Sequence, residues 1–276
     1  MAIPDVLLVD GHYLLYRAWY GFPARIYASD RTDRTGVFGF VALLRKALRQ
    51  HAPGQECVVV FDAEDGAAAR TASDSAYKAQ RPPADPGLFE SLGPIKQVLD
   101  GAGVRWLEHS GAEADDVIAT LALRARAGGR EVTVMSTDKD YSQLLGDTGI
   151  RLLNTGAAEH RRETTGADVI ARYGVAPVQW PDFRALMGDP ADNISGVLGI
   201  GERTAARLLA GGRHLEHIPP AEIRPAWADQ WPNAIRWREM IRLCDCKDQF
   251  PGDALAAIST SPLPAARDLL AAHGLW

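Results

Sequence analysis

Three short apolar runs each finish on or just before a carboxylate, with helically spaced stretches between them. Val6 to Val9 leads into Asp10, Cys57 to Phe61 into Asp62, and Val132 to Met135 stops shortly before Asp138. Runs that are apolar throughout, rather than alternating, belong to strands covered on both faces, and intervening helices of about 10–15 residues supply the cover. The rest of the first half keeps the alternation. Val37 to Gln50, Glu90 to Leu99 and Asp115 to Ala127 read as helices, Val104 to Leu107 and Ile150 to Leu153 as strands, and Gln143 to Leu145 fills the gap before the last of them. The pattern predicts a doubly wound α/β fold with a mostly parallel sheet. In such sheets ligands bind beyond the carboxyl ends of the strands, where Asp10, Asp62 and Asp138 fall.

Between Asp62 and about Phe89 the chain is rich in Ala, Asp and Pro, with Arg70, Tyr77, Lys78 and Arg81 set into it, and its periodicity is weak. This reads as a mobile excursion over residues 63–89, above the sheet edge. After Thr165 the pattern turns helical, at Ala167 to Tyr173, Trp180 to Met187 and Arg203 to Leu209. The expected organisation is an α/β core over 1–164 that carries the excursion, followed by a mostly α part over 165–276.

Further acids come in clusters: Glu113-Ala114-Asp115-Asp116, Asp138-Lys139-Asp140 and Asp189-Pro190-Ala191-Asp192. Each has an ordinary explanation, as helix-dipole partners, helix caps or turn residues. Together with Asp10 and Asp62 they make nine carboxylates on separated elements, and capping requires no such number. Like carboxylates brought close together cannot all stay ionised without positive charge between them. A set built only from oxygen donors, with no His or Cys, suits hard divalent cations and phosphate chemistry. The charge balance agrees. The net charge is −5, yet setting the nine aside leaves 26 acids against 30 basic residues, a surplus of +4 suited to a phosphate-rich partner.

Gly199-Ile200-Gly201 reads as a tight turn opening a helix, whose free N–H groups, with Thr204, Arg203 and Arg207, can hold a phosphate; an ordinary helix-turn-helix corner is the alternative. Trp180, Trp227, Trp231 and Trp237 read as core or partner-facing. Cys57 lies in an apolar run, and Cys244 and Cys246 are too close together for the usual metal-ligand pair, so neither a disulfide framework nor a zinc site is indicated. No stretch approaches the ~20 apolar residues that cross a bilayer. A cytoplasmic protein is expected.

With Leu7-Leu8-Val9-Asp10-Gly11-His12, Tyr16-Arg17, Val60-Phe61-Asp62, Tyr77 to Pro82, the three acid clusters and Gly196 to Leu209 in this order, the chain resembles the 5′-nuclease family. That family comprises the amino-terminal 5′-nuclease domain of bacterial DNA polymerase I and the flap endonucleases. The resemblance implies a PIN-like core with a helical arch at 63–89 and a helix-hairpin-helix at 196–210. It also implies two divalent ions, magnesium with manganese as the substitute. Asp62, Glu113, Asp115 and Asp138 would hold one, and Asp140, Asp189 and Asp192 the other, with Asp10 and Asp116 supporting as metal-site and catalytic residues. Lys78 and Arg81 would stabilise charge on the scissile phosphate, Arg17 and Arg70 would contact DNA, and Tyr77 would stack on a base. Gly199, Ile200, Gly201, Arg203, Thr204 and Arg207 would clamp the duplex, with a potassium ion bridging to its phosphates.

The implied activity is two-metal hydrolysis near the 5′ end of DNA, at flaps, nicks and free 5′ ends, with RNA primers as further substrates. A monomer serving a separate DNA polymerase in replication and repair is expected, since no polymerase domain follows. Two departures stand out: Ala67-Ala68-Ala69 lies where the family tends to carry an aromatic residue, and Gly212 to Trp276 matches weakly. The rival readings are a PIN-type ribonuclease and a junction-binding module without turnover.

Overall fold

The computed structural model describes residues 4–246, 255 and 262–276. One six-stranded sheet carries β1 (Val6–Asp10), β2 (Glu56–Phe61), β3 (Arg105–Glu108), β4 (Val132–Met135), β5 (Ile150–Leu153) and β6 (Glu163–Thr164), in the order β3-β2-β1-β4-β5-β6. The first five are parallel, and β6 pairs antiparallel at the edge. The chain runs outward from β1 through β2 to β3, then returns to the other side of β1 as β4. That reversal between β1 and β4 is the switch point at which doubly wound sheets bind ligands. In register Asp10 pairs with Val60 and Val9 with Met135, so the carboxyl ends of the three central strands lie side by side.

The alternate residues of each apolar run serve opposite layers. Leu7, Val9, Val59 and Phe61 face α1 (Gly11–Gly21), α2 (Thr35–Gln50) and α5 (Leu92–Gly101), whereas Val6, Leu8, Val58 and Val60 face α6 (Ala114–Ala127). This explains strands apolar on both faces. β3, at the edge, is only partly covered. Within the excursion lie two short helices, α3 (Ala68–Ser73) and α4 (Pro86–Glu90), and a 3₁₀ helix over Asp140–Gly146 occupies the gap before β5.

The helical part contains α7 (Gly166–Tyr173), α8 (Trp180–Met187), α9 (Glu202–Leu208), α10 (Pro225–Ala228) and α11 (Trp231–Ile241). Among the described residues it has no separate core: Trp180, Phe183, Leu186 and Leu208 join the apolar cluster that covers α6 and one face of the sheet. Trp180 and Trp227 are buried there, with Trp231 and Trp237 packed against the same cluster. The last helix, α12 (Ala266–Ala272), goes elsewhere. It buries Leu269 and Leu270 with the α2 layer, and Arg45 donates to the Leu263 carbonyl at 2.8 Å. The expected α part over 165–276 therefore splits between the two faces of the sheet, and its residues 247–254 and 256–261 lie outside the described residues. Among the described residues no helix is long and apolar enough to cross a membrane.

Candidate metal centre

An open cleft of about 660 Å³ lies at the switch point and is lined by Asp10, Asp62, Asp115, Asp138 and Asp189, among others. Asp10 ends β1 and caps α1, accepting from the Tyr13 N–H at 2.9 Å and from Ser136 Oγ at 2.8 Å. Ser136 Oγ also accepts from the Asp138 N–H, and Asp138 accepts from the Asp140 N–H at 2.8 Å. Across the strands, Asp62 accepts from the Ala114 N–H at 2.7 Å, which joins the end of β2 to the start of α6. His12 Nδ1 lies 3.1 Å from both the Asp62 N–H and its Oδ2. One ring nitrogen cannot accept from the first and donate to the second, and burial, which lowers the His12 pKa against the pull of Asp62, favours the neutral, accepting form.

Glu113 and Asp116 are both buried at the start of α6, and the excursion supplies their counter-charges. Arg70 binds Asp116 through two bonds of 2.7 and 2.8 Å and Glu113 at 2.6 Å, while its Nε donates to the Met240 carbonyl. Lys78 pairs with the other oxygen of Glu113, and Tyr77 Oη bridges Glu113 at 3.0 Å and Asp192 at 3.3 Å. The expectation that Arg70 and Tyr77 contact DNA meets a different placement. Arg70 has a side chain only 10% exposed and Tyr77 is 5% exposed, because both close over carboxylates that would otherwise be buried without a partner.

The seam between the excursion and the Asp189–Asn193 loop is closely determined. The Lys78 N–H donates to the Asp192 carbonyl, Asn193 Nδ2 donates to that of Ala76, and both residues hold positive φ angles, 55° and 60°. Such conformations persist only where surrounding contacts over-determine them. Residues 70–81, within the segment expected as an excursion, are thus bonded to the rest of the fold at several points.

The second cluster is tighter. Asp140, Asp189 and Asp192 each offer an oxygen within 4.8 Å of the others. Trp180 Nε1 donates to Asp140 at 3.2 Å, Arg81 binds Asp192 at 2.8 Å, and Arg184 pairs with Asp189. Gly188 (φ 91°) and Gly196 (φ 69°) form the neck of the loop, where a Cβ on Gly196 would lie 2.4 Å from the Gly188 nitrogen. Only glycine allows that crossing.

The arrangement fits divalent cations. Every candidate ligand is a carboxylate, and Arg70, Lys78, Arg81 and Arg184 make four paired cations against nine acids. Five negative charges stay unmatched if all ionise, and two divalent ions would supply four. Neighbouring donors hold both oxygens of Glu113 and Asp116, as they do those of Asp10, Asp189 and Asp192.

The unmatched charge appears as shifted acidities. Burial, then the charges of Asp62 and Asp138, push Asp10 up to about 7. Burial and Asp116 raise Asp115 well above the usual range, and burial with Asp138, Asp189 and Asp192 does the same to Asp140. Glu113 goes the other way. Burial opposes its charge, but Lys78 and Arg70 outweigh it and hold the carboxyl low. A raised folded-state pKa gives stability present below the unfolded value, near 4, and lost as pH rises through the folded one. Metal-free protein should therefore melt at a higher temperature at pH 5.5 than at pH 8. Asp10 contributes at most about 2 kcal/mol of that difference, since in the unfolded chain it is already largely ionised at pH 5.5, and Asp10→Asn should shrink it. A melting temperature in EDTA that rises from pH 5.5 to 8 would contradict this.

Arg17 donates to the hydroxyl and carbonyl of Thr155 and also lines the cleft. Gly199 (φ 86°) turns the chain, Ile200 is buried, and Gly201 caps α9, which exposes Arg203 and Arg207 with Thr204 half-buried. Residues 196–210 hold this turn and one helix; the preceding helix is α8, on the far side of the carboxylate loop. Sequence reasoning missed Arg184, which looks like any helical arginine, and Ser136 and Tyr141, which flank the Asp138-Lys139-Asp140 cluster.

Residues 5–174 match the family model described as the 5′-3′ exonuclease N-terminal resolvase-like domain, and residues 175–244 match that of the 5′-3′ exonuclease C-terminal SAM fold. Thermostable DNA polymerase I of Thermus filiformis is 43% identical over 213 residues, covering 77% of this chain and 24% of the relative. DNA polymerase I of Mycobacterium bovis is 38% identical over 211 residues, covering 76% and 23%. The chain thus spans about a quarter of the length of these curated relatives. Among solved structures, T5 5′-exonuclease with zinc bound superposes with a TM-score of 0.68 at 20% identity, covering 97% of each chain. The Rad2 catalytic core in complex with DNA substrate superposes at 0.61 and 13% identity, covering 99% of this chain and 88% of that one. These likenesses establish the shared fold. Together with both domain matches in sequence order, they mean that the chain belongs to the 5′-3′ exonuclease family.

Proposed function

We propose that the protein is a structure-specific 5′-3′ exonuclease and flap endonuclease that hydrolyses phosphodiester bonds near the 5′ ends of DNA, and of RNA primers, in replication and repair. One observation carries the reading: carboxylates from separate elements gather at one cleft at the switch point, Asp10, Asp62, Glu113, Asp115, Asp138 and Asp189 lining it and Asp140 and Asp192 beside Asp189, and they outnumber the cations paired with them. Asp62, Glu113, Asp115 and Asp138 are assigned to one ion and Asp140, Asp189 and Asp192 to the second, with Asp10 and Asp116 supporting. Magnesium, replaceable by manganese, would acidify the attacking water and offset charge on the departing oxygen. The residues around it position the substrate. Lys78 and Arg81, once their carboxylates are otherwise neutralised, can turn to the charge that develops on phosphorus. Glu113 is freed in the same exchange, since Lys78 now holds one of its oxygens.

Residues 63–89 act as the arch in this reading, with 1–164 as the catalytic core and 165–276 as the mostly helical duplex-binding part. Arg17 and the Gly199–Arg207 turn hold backbone phosphates, with potassium at the turn. Among the described residues no element is shaped to read base edges, so recognition is of structure rather than sequence. Arg207→Ala should then lower the salt dependence of duplex binding by about one charge equally on every sequence, and an unchanged slope would remove Arg207 from the interface. A cytoplasmic monomer working beside a separate DNA polymerase completes the proposal.

Substrate ranking tests it. Cutting of 5′-flap and nicked duplexes should greatly outpace cutting of single-stranded RNA, and equal rates would favour the ribonuclease reading.

A further inference from the structure

Tyr141 follows Asp140 in the 3₁₀ helix, is 1% exposed, and lines the acidic cleft. Its hydroxyl has no hydrogen-bond partner among the described residues. The carboxylates of Asp10, Asp62, Asp115 and Asp138 line the same cleft, and a phenol carries its proton at neutral pH. It is therefore a neutral donor among good acceptors, bonded to none of them. A buried hydroxyl left unsatisfied is costly, and a phenylalanine would fill the same apolar space without that cost. Tyr141 lines the cleft that these carboxylates share, so a species bound there is the candidate acceptor for its hydroxyl.

Resting on the metal-centre reading above, we infer that Tyr141 is a positioning residue whose Oη donates a hydrogen bond to a hydration water of the ion assigned to Asp62, Glu113, Asp115 and Asp138. Magnesium and manganese bound by few direct protein ligands keep several waters, and such waters need oriented acceptors and donors around them. The carboxylates can only accept, so a neutral donor among them fixes a water in an orientation that they cannot impose.

The test compares wild type with Tyr141→Phe in three measurements. Manganese binding to the metal-free protein, read from the free-ion paramagnetic resonance signal, should weaken about ten-fold at one site and stay unchanged at the other. The melting temperature in EDTA should stay the same or rise, because the variant removes an unsatisfied hydroxyl. Single-turnover cleavage in saturating magnesium should slow on the order of ten-fold, with flap-duplex affinity in calcium unchanged. Equal manganese affinity in the two proteins would overturn the inference. So would a melting temperature several degrees lower in EDTA, since it would mean that the hydroxyl is bonded within the fold. A wild type that binds manganese without cutting flap DNA would sink the nuclease reading alone, leaving the manganese comparison to decide Tyr141.

Discussion

Arg70→Gln is expected to destabilise the metal-free protein by about 3–5 kcal/mol, the usual cost of stripping one partner from a buried ion pair. For a chain of this length that lowers the melting temperature by roughly 10 °C. The argument rests on what Arg70 holds together. Its guanidinium grips Asp116 through both oxygens, reaches Glu113, and donates to the Met240 carbonyl, so it ties the excursion to the start of α6 and the end of α11. The Cys244 N–H donates to Asp116 at 2.7 Å from the same segment. Glutamine would leave Asp116 buried with its charge mostly unopposed. Lysine should not rescue it, because a single ammonium cannot reproduce the two-pronged contact. A surface arginine that touched only DNA would behave differently, weakening duplex binding and leaving the melting temperature where it was. Thermal melting in EDTA separates the two roles.

Asp140→Asn should have opposite effects on stability and activity. Asp140 is buried beside Asp189 and Asp192 and has no ion-pair partner among the described residues, so its ionisation in the folded state is opposed. Asparagine removes that repulsion and keeps an oxygen for Trp180 Nε1. The variant should melt at a higher temperature than wild type in EDTA at pH 8, where the carboxylate would otherwise be forced to charge. Cleavage should fall by roughly 10³-fold, since losing one ion's stabilisation of the transition state is worth several kcal/mol. Asp189→Asn is a poorer probe, because it would strand the buried Arg184 guanidinium. A lower melting temperature for Asp140→Asn in EDTA would show that the cluster is not repulsive.

The sheet and its carboxylates were legible for a local reason. Runs such as Val6 to Val9 and Cys57 to Phe61 are apolar at every position, which only a strand covered on both faces explains, and Asp10 and Asp62 follow directly. The destinations of Arg70 and Tyr77 were not, because their partners are Glu113, Asp116, Asp192 and a carbonyl at Met240, all distant in sequence. An arginine in a stretch of Ala, Asp and Pro looks solvated until the carboxylates across from it are known. Arg184 and Tyr141 were hidden for a similar reason. Arg184 completes an ordinary amphipathic pattern, and Tyr141 matters through an unbonded hydroxyl that no spacing rule reports. The destination of α12 was not legible either, because a short helix carrying Leu269 and Leu270 suits any apolar surface, and only the fold reveals that α2 offers one.

The most direct measurement is cleavage of a labelled 5′-flap duplex in magnesium, with and without EDTA, alongside the binding affinity for the same duplex. The expected result is cutting near the flap junction that EDTA abolishes. Tight flap binding with no cutting in either magnesium or manganese would contradict it, and would make the acidic cleft part of a protein that holds branched DNA without hydrolysing it.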